Sequence, residues 1–277
     1  MILTGKARLA GVMGWPVDHS RSPRLHGYWL DRYGIDGAYV PLAVPPDRFA
    51  AALSGLQAVG FRGVNVTVPH KESAFAACDT LDADAKRIGA VNTIRFGEDG
   101  AMHGSNTDAF GFIENIRQTV DWPGGIAVLL GAGGAARAIC VALLDAGATE
   151  IRLVNRTKRR AEALAAEFGS KIRVYDWENR CDAELNASLL VNSTSLGMTG
   201  QPPLALDLGA LPTSAVVNDI VYAPLETPLL AEARGRGNPV VDGLGMLLHQ
   251  ARPGFEAWFG TPPEVTEELR RFVVTDS

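Results

Sequence analysis

Gly131-Ala132-Gly133-Gly134-Ala135-Ala136 stands directly after five apolar residues, Ile126-Ala127-Val128-Leu129-Leu130, and directly before a helix-length apolar stretch. Glycine at the first and third positions and alanine at the sixth match Gly-x-Gly-x-x-Gly/Ala, the turn that joins the first strand of a dinucleotide-binding unit to its helix. Small residues there let the backbone turn sharply and bring helix N-terminal amides against a pyrophosphate.

Taken alone this pattern is shared by many proteins, so its context carries the reading. A second strand is expected at 151–155, and its end is where such a unit meets the adenosine ribose. An NAD site places an acid there, but this chain reads Asn155-Arg156-Thr157-Lys158-Arg159. A guanidinium in that place suits a 2′-phosphate, with Asn155 and Thr157 as further donors, so NADP is expected over NAD. The competing interpretation, a tight connection followed by a solvated arginine, accounts for each piece separately but not for their spacing.

Outward from this turn, short aliphatic runs alternate with helix-length segments, the pattern of parallel sheets covered by crossover helices; the class is α/β. Strands are expected at 8–13, 38–44, 63–68, 92–96 and 101–105, with helices at 24–33, 47–59 and 71–78. A helix at 107–120 leads into Asp121-Trp122-Pro123-Gly124-Gly125, a turn cluster that opens a new series of units. That series has strands at 126–130, 151–155, 172–175, 189–192, 216–220 and 239–241 and helices at 135–146 and 158–168. Two helices without an intervening strand are expected at 246–259 and 263–273.

A chain of 277 residues, 47% hydrophobic, is long enough for two modest domains. Its net charge of -5 comes from interspersed acids and bases with no run of like charge, which argues against a nucleic-acid arm. Cys78, Cys140 and Cys181 are widely separated, so neither a disulfide framework nor a thiolate metal site is expected, and a reduced, cytoplasmic setting fits. Residues 126–148 have the length of a membrane span, yet Arg137 and Asp145 and the glycine cluster interrupt them; no membrane partner is expected. The five histidines form no ligand pair with an accompanying acid, so no metal is expected.

The first half repeats one arrangement: polar clusters close apolar strands and open helices. Gly14-Trp15-Pro16-Val17-Asp18-His19-Ser20-Arg21-Ser22-Pro23 places two hydroxyls at a strand end, suited to a carboxylate or to capping a helix. Asn65-Val66-Thr67-Val68-Pro69-His70-Lys71 presents an amide, a hydroxyl and an ammonium at one rim. The ammonium of Lys71 is a proton donor whose surroundings can tune it, or a solvated helix residue. Ala90-Val91-Asn92-Thr93 and Gly104-Ser105-Asn106-Thr107-Asp108 add two more such ends, with Asp108 equally suited to a first helical turn.

In this order the motifs resemble those of the NADP-dependent shikimate 5-dehydrogenase family, from Gly14 to Ala251. The resemblance rests on Ser20-Arg21-Ser22-Pro23, Asn65-Val66-Thr67-Val68-Pro69-His70-Lys71, Asn106-Thr107-Asp108, Asn155-Arg156-Thr157, Asn192-Ser193-Thr194-Ser195-Leu196-Gly197-Met198 and Asp242-Gly243-Leu244-Gly245-Met246-Leu247-Leu248-His249-Gln250-Ala251. It implies reversible NADPH-dependent reduction of 3-dehydroshikimate to shikimate, in the pathway to chorismate and the aromatic amino acids. It further implies Lys71 and Asp108 as the catalytic pair, with the substrate held by Ser20, Ser22, Thr67, Asn92, Asp108, Tyr222 and Gln250. The cofactor would lie on Gly131, Ala132, Gly133, Gly134, Ala135, Asn155, Arg156, Thr157, Lys158, Thr194, Ile220 and Gly243. The implied architecture is an α/β substrate-binding catalytic domain at 1–107 and a Rossmann-type NADP-binding domain at 108–243 that opens with a linker helix at 108–120. C-terminal helices at 244–277 would return to the first domain, the active site would lie in the interdomain cleft, and the protein would act as a monomer or homodimer.

Three rivals remain at this point. A quinate or dual quinate/shikimate dehydrogenase shares many motifs, against which stand the Ser20/Ser22 pair and Arg156. An S-adenosylmethionine methyltransferase also has a glycine-rich loop after its first strand but wants an acid where Asn155 stands. A non-catalytic metabolite-binding regulator would have lost Lys71 or Asp108, and both are present.

Overall fold

The computed structural model describes residues 2–275. The chain divides into two units: one runs to Asp108 and resumes at Leu247, and the other spans Ala109–Met246.

The first unit contains β1 (Arg8–Gly14), α1 (Ser22–Arg32), β2 (Gly37–Ala43), α2 (Phe49–Ala58), β3 (Gly63–Val66), α3 (Lys71–Ala77), β4 (Thr80–Leu81), α4 (Ala83–Ile88), β5 (Thr93–Phe96) and β6 (Met102–Ser105). Among the described residues its strands form a six-stranded sheet in the order β2-β1-β3-β5-β6-β4. Met13, Leu53, Val64, Val66 and Ile94 form part of a buried apolar core on this sheet.

The expectation of parallel sheets fails here. β1 runs parallel to β2 and β3, but β5 is antiparallel to both β3 and β6. Only five residues separate β5 from β6, and Gly97 donates to the Ala101 carbonyl at 2.8 Å. A loop this short makes a hairpin, because a parallel return needs a crossover of a dozen residues or more. The short helix α4 was also not anticipated, although its limits are written locally: Asp82 accepts from the Ala85 amide at 2.6 Å and Gly89 adopts φ 71° at its end. Six residues are too few to show a helical period.

The second unit contains α5 (Asp108–Thr119, less its first residue), β7 (Gly125–Leu130), α6 (Gly134–Asp145), β8 (Ala148–Val154), α7 (Lys158–Phe168), β9 (Ile172–Tyr175), β10 (Leu189–Asn192), β11 (Val216–Asp219), α8 (Pro228–Gly235) and β12 (Val240–Val241). Two further helices follow, α9 (Leu244–Phe259) and α10 (Glu267–Val274). The second sheet is parallel throughout, in the order β12-β11-β10-β7-β8-β9, which is the doubly wound Rossmann arrangement. Parallel strands are covered on both faces, which explains the unbroken apolar runs of β7 and β10. Unanticipated here are α8 and a 3-10 segment, Trp177–Glu184. No helix among the described residues is long and apolar enough to cross a membrane.

At the end of that 3-10 segment Glu184 is fully buried, and neither carboxyl oxygen has a hydrogen-bond partner among the described residues. Burial, then the nearby Asp207, push its pKa from 4.5 up to about 8, Arg236 opposing. The folded state therefore keeps a proton that the unfolded chain releases above 4.5, so stability falls as pH rises from about 4.5 to about 8. Glu184→Gln should leave Tm near wild type at pH 5 and raise it at pH 8. An uncompensated buried group is worth about 1–3 kcal/mol, with Tm moving roughly 2–4 °C for each kcal/mol. Thermal melts across that range check this; parallel pH curves for the two proteins would contradict it.

Candidate active site

Strand direction assembles the polar ends of the first unit. β1, β3 and β6 run the same way and β5 runs against its neighbours, so the start of β5 lies beside the ends of β3 and β6. Asn65 and Ser105 both pair with Thr93 in register, and Asn92 comes next in the chain. A parallel β5 would have placed Phe96 at this edge and Asn92 at the opposite one.

The loops after β1 and β3 are joined by backbone. The Thr67 amide donates to the Met13 carbonyl at 2.9 Å and the Trp15 amide to the Val68 carbonyl at 3.1 Å. Gly14 is required there, since a Cβ would come within 2.5 Å of the Thr67 methyl group. Ser20 is half-buried and Ser22 is buried at the first position of α1, where the Ser22 amide donates to Ser20 Oγ at 3.3 Å. The N-cap residue is Arg21, whose own side chain makes no capping bond, and the first helical amide is met by Ser20 Oγ instead.

Lys71 opens α3, and its ammonium forms an ion pair with Asp108 Oδ2. The two side chains are only 18% and 9% exposed, which sets the pair apart from a solvated surface bridge. The Asp108 amide donates to Asn106 Oδ1 at 3.0 Å, which satisfies the helix start and leaves the Asp108 carboxylate for other partners. Its second oxygen accepts from Asn92 Nδ2 at 2.8 Å. Thr107 Oγ1 donates to the Gln250 carbonyl at 2.7 Å, and Asn92 Nδ2 lies 3.5 Å from Gln250 Oε1. The structure thus brings Lys71, Asn92, Asp108 and Gln250 into one network. Asn65 departs from expectation: every residue of β3 is buried, and its amide faces inward rather than onto the rim.

In the second unit the strand order reverses between β7 and β10, the place where open α/β sheets bind ligands. The loops after these two strands meet there. Ser193 donates to the Leu130 carbonyl through its amide at 2.8 Å and its hydroxyl at 2.7 Å. Gly131 has φ 107°, and a Cβ on it would lie 2.6 Å from Ser193 Oγ. Gly133 differs: a Cβ there would meet nothing within 4 Å. The protein's own packing does not explain glycine at 133, whereas a ligand backbone seated over the amide start of the 12-residue helix α6 does.

Asn155 holds its own turn, donating to the Thr157 carbonyl at 2.9 Å. Arg156 and Thr157 are exposed, and among the described residues no hydrogen bond or ion pair occupies the Arg156 guanidinium. Lys158 is engaged with Asp176 at 2.7 Å. The donors present therefore fit a phosphorylated ribose, with Arg156 as an available cation beside Asn155 and Thr157.

Asp219, at the end of β11, is a residue the sequence reading missed. It is fully buried and accepts from Asn192 Nδ2 at 3.0 Å, the Val221 amide at 3.0 Å and Thr227 Oγ1 at 2.7 Å. Burial raises its pKa, while these donors oppose the rise. Asn192 Oδ1 in turn accepts from the Thr194 amide at 3.0 Å and its hydroxyl at 2.7 Å. One carboxylate therefore shapes both the Thr194 loop and the Ile220 loop. Gly243 packs so closely on the Ile220 carbonyl that a Cβ would overlap it. The half-buried Tyr222 lies just beyond. Asp219 lies inside the strand expected at 216–220, where no local pattern marks a buried acid, so its role was not legible.

A parallel sheet in Rossmann order with a glycine cradle at its switch point, together with a shielded lysine–carboxylate pair, defines a dinucleotide-dependent oxidoreductase. Family models agree: residues 12–94 match the shikimate dehydrogenase substrate binding domain, 116–197 the shikimate / quinate 5-dehydrogenase model and 243–267 the shikimate 5′-dehydrogenase C-terminal domain. The chain is 59% identical over 276 residues to the shikimate dehydrogenase (NADP(+)) of Paramagnetospirillum magneticum, covering 99% of this chain and 100% of that one. A shikimate 5-dehydrogenase from Thermus thermophilus in complex with NADP(H) and shikimate is 38% identical, with a TM-score of 0.87 and 96% and 98% of the two chains covered. A quinate dehydrogenase from Corynebacterium glutamicum in complex with NAD is 29% identical, with a TM-score of 0.89 and 96% and 98% covered. The chain belongs to the shikimate dehydrogenase family.

Proposed function

We propose that the protein catalyses the reversible NADPH-dependent reduction of 3-dehydroshikimate to shikimate. The observation that carries this reading is the shielded Lys71–Asp108 pair, anchored by Asn92. The nicotinamide cofactor, when bound, supplies or accepts the hydride. Lys71 delivers a proton to the ketone oxygen as it becomes an alcohol, and in the reverse direction takes it back. Asp108 orients the ammonium and accepts from a neighbouring ring hydroxyl. Gln250, which belongs to the same network, and Thr67, on the loop after β3, add contacts to the ring hydroxyls, and Ser20 and Ser22 hold the carboxylate. Gly131 to Ala135 cradle the pyrophosphate, and Arg156 selects the 2′-phosphate. The three free cysteines suit a reducing, cytoplasmic setting.

Crossing shikimate and quinate with NADP+ and NAD+, and following reduced nicotinamide by absorbance, tests the assignment. Highest kcat/KM for shikimate with NADP+ is expected; preference for quinate with NAD+ would move the protein to the quinate dehydrogenases. The serines bind far from the reacting carbon, so Ser20→Ala or Ser22→Ala should raise KM for shikimate with little change in kcat. Loss of a hydrogen bond to a charged group, about 1.5–3 kcal/mol, corresponds to roughly 10-fold or more in KM. Unchanged KM in both variants would leave the serines without a substrate role.

A further inference from the structure

Asp108 lies at one end of a continuous buried hydrogen-bond chain that runs back to Tyr39 on β2, whose hydroxyl also bonds with the Ser22 side chain. The Tyr39 hydroxyl donates to Asn65 Oδ1 at 2.6 Å, and Asn65 Nδ2 donates to Thr93 Oγ1 at 3.0 Å. Thr93 Oγ1 donates to Asn92 Oδ1 at 2.9 Å, and Asn92 Nδ2 donates to Asp108 Oδ1 at 2.8 Å. Tyr39, Asn65, Thr93, Asn92 and Asp108 are all buried. Every link points the same way, toward the carboxylate, so each bond polarises the next in the sense that favours a donor facing Asp108. The Tyr39 ring is itself fixed, stacked on the buried His26 with centroids 3.9 Å apart and planes within 2°.

We propose that Tyr39, Asn65 and Thr93 are positioning residues for the reaction, acting through Asn92 on the Lys71–Asp108 pair. The physical reason is the two-sidedness of the Asn92 amide. Turned over, it would direct its oxygen at the Asp108 carboxylate and repel it. The Thr93 hydroxyl and the Thr107 amide, the latter at 3.0 Å, both donate to Oδ1 and so hold Nδ2 toward Asp108. Removing the Thr93 hydroxyl loosens this choice without orphaning its neighbours. Asn92 Oδ1 keeps the Thr107 amide, and Asn65 Nδ2 keeps the Asn92 carbonyl at 3.2 Å. The fold should therefore survive the change while the pair loses its fixed geometry.

The inference rests on the proposed role of Lys71 and Asp108, and its test separates the two. With shikimate and NADP+, Thr93→Val is expected to lower kcat by about 10- to 100-fold, the scale of a misplaced reacting group. KM for shikimate should stay within about threefold, since an unchanged KM with lower kcat marks a loss confined to the transition state. Thr93→Ser, which keeps the hydroxyl, should restore kcat. Tyr39→Phe keeps the ring and its stacking on His26 and should lower kcat less, and combined with Thr93→Val should add little, because both cut one chain. It also carries the test if Thr93→Val fails to fold. Wild-type kcat in the folded Thr93→Val or Tyr39→Phe protein, or no recovery in Thr93→Ser, overturns the positioning role and leaves the Lys71 assignment standing. Inactive wild type, or an active Lys71→Ala, overturns the assignment beneath it.

Discussion

Replacing Lys71 by alanine is expected to reduce kcat for shikimate oxidation by roughly 10²- to 10⁴-fold, the usual contribution of a positioned acid or base. Binding of NADPH should not change, because the residues assigned to the cofactor belong to the second unit and Lys71 to the first. Asp108 would lose its ion-pair partner and keep the Asn92 amide on its other oxygen, so some loss of stability is expected and the melt must show that the variant is folded at the assay temperature. The measurement is steady-state kcat and KM beside a fluorescence titration of NADPH and a thermal melt. A variant that binds NADPH normally, is folded at the assay temperature and turns over within about threefold of wild type would remove Lys71 from proton transfer, since general acid-base loss is rarely so small.

Arg156→Ala is expected to weaken NADP+ binding and leave NAD+ binding nearly unchanged. Hydrogen bonds to a charged group are worth about 1.5–3 kcal/mol, which predicts roughly 10- to 100-fold in Kd. Arg156 is the residue to change because Lys158, two positions on, is already paired with Asp176. The effect should shrink at high salt, where an exposed cation and a phosphate are screened from one another. Kd for both nucleotides at two ionic strengths decides the matter; equal losses for NADP+ and NAD+ would mean that Arg156 stacks on the adenine or shapes the turn rather than reading the 2′-phosphate.

Much of the second unit was readable along the chain. Glycine spacing, the apolar strands beside it and the absence of an acid after Val154 are local properties, each tied to a backbone or charge requirement that neighbours in sequence satisfy. The dinucleotide fold and the expectation of NADP follow from them, and the strand order agrees with that fold; the family rests instead on the resemblance of motifs along the whole chain. Short segments were harder: α4 and α8 have capping residues but too few turns for a period to emerge.

In the first unit, motifs at strand ends named the candidate residues, yet their meeting depended on pairing across the sheet. Asn92 faces Asp108 because β5 runs antiparallel to β3, and that direction follows from a hairpin and from register with distant strands. The inward turn of Asn65 and its bonds to Tyr39 and Thr93 are likewise absent from any local pattern, since those partners lie 26 and 28 residues away; in the second unit the bond between Asp219 and Asn192 spans 27 residues. Polar residues in sequence announce only that a hydrogen-bond partner is needed. Which partner each one finds is set by burial, where an unpaired group is too costly to leave, and burial is a property of the packed whole.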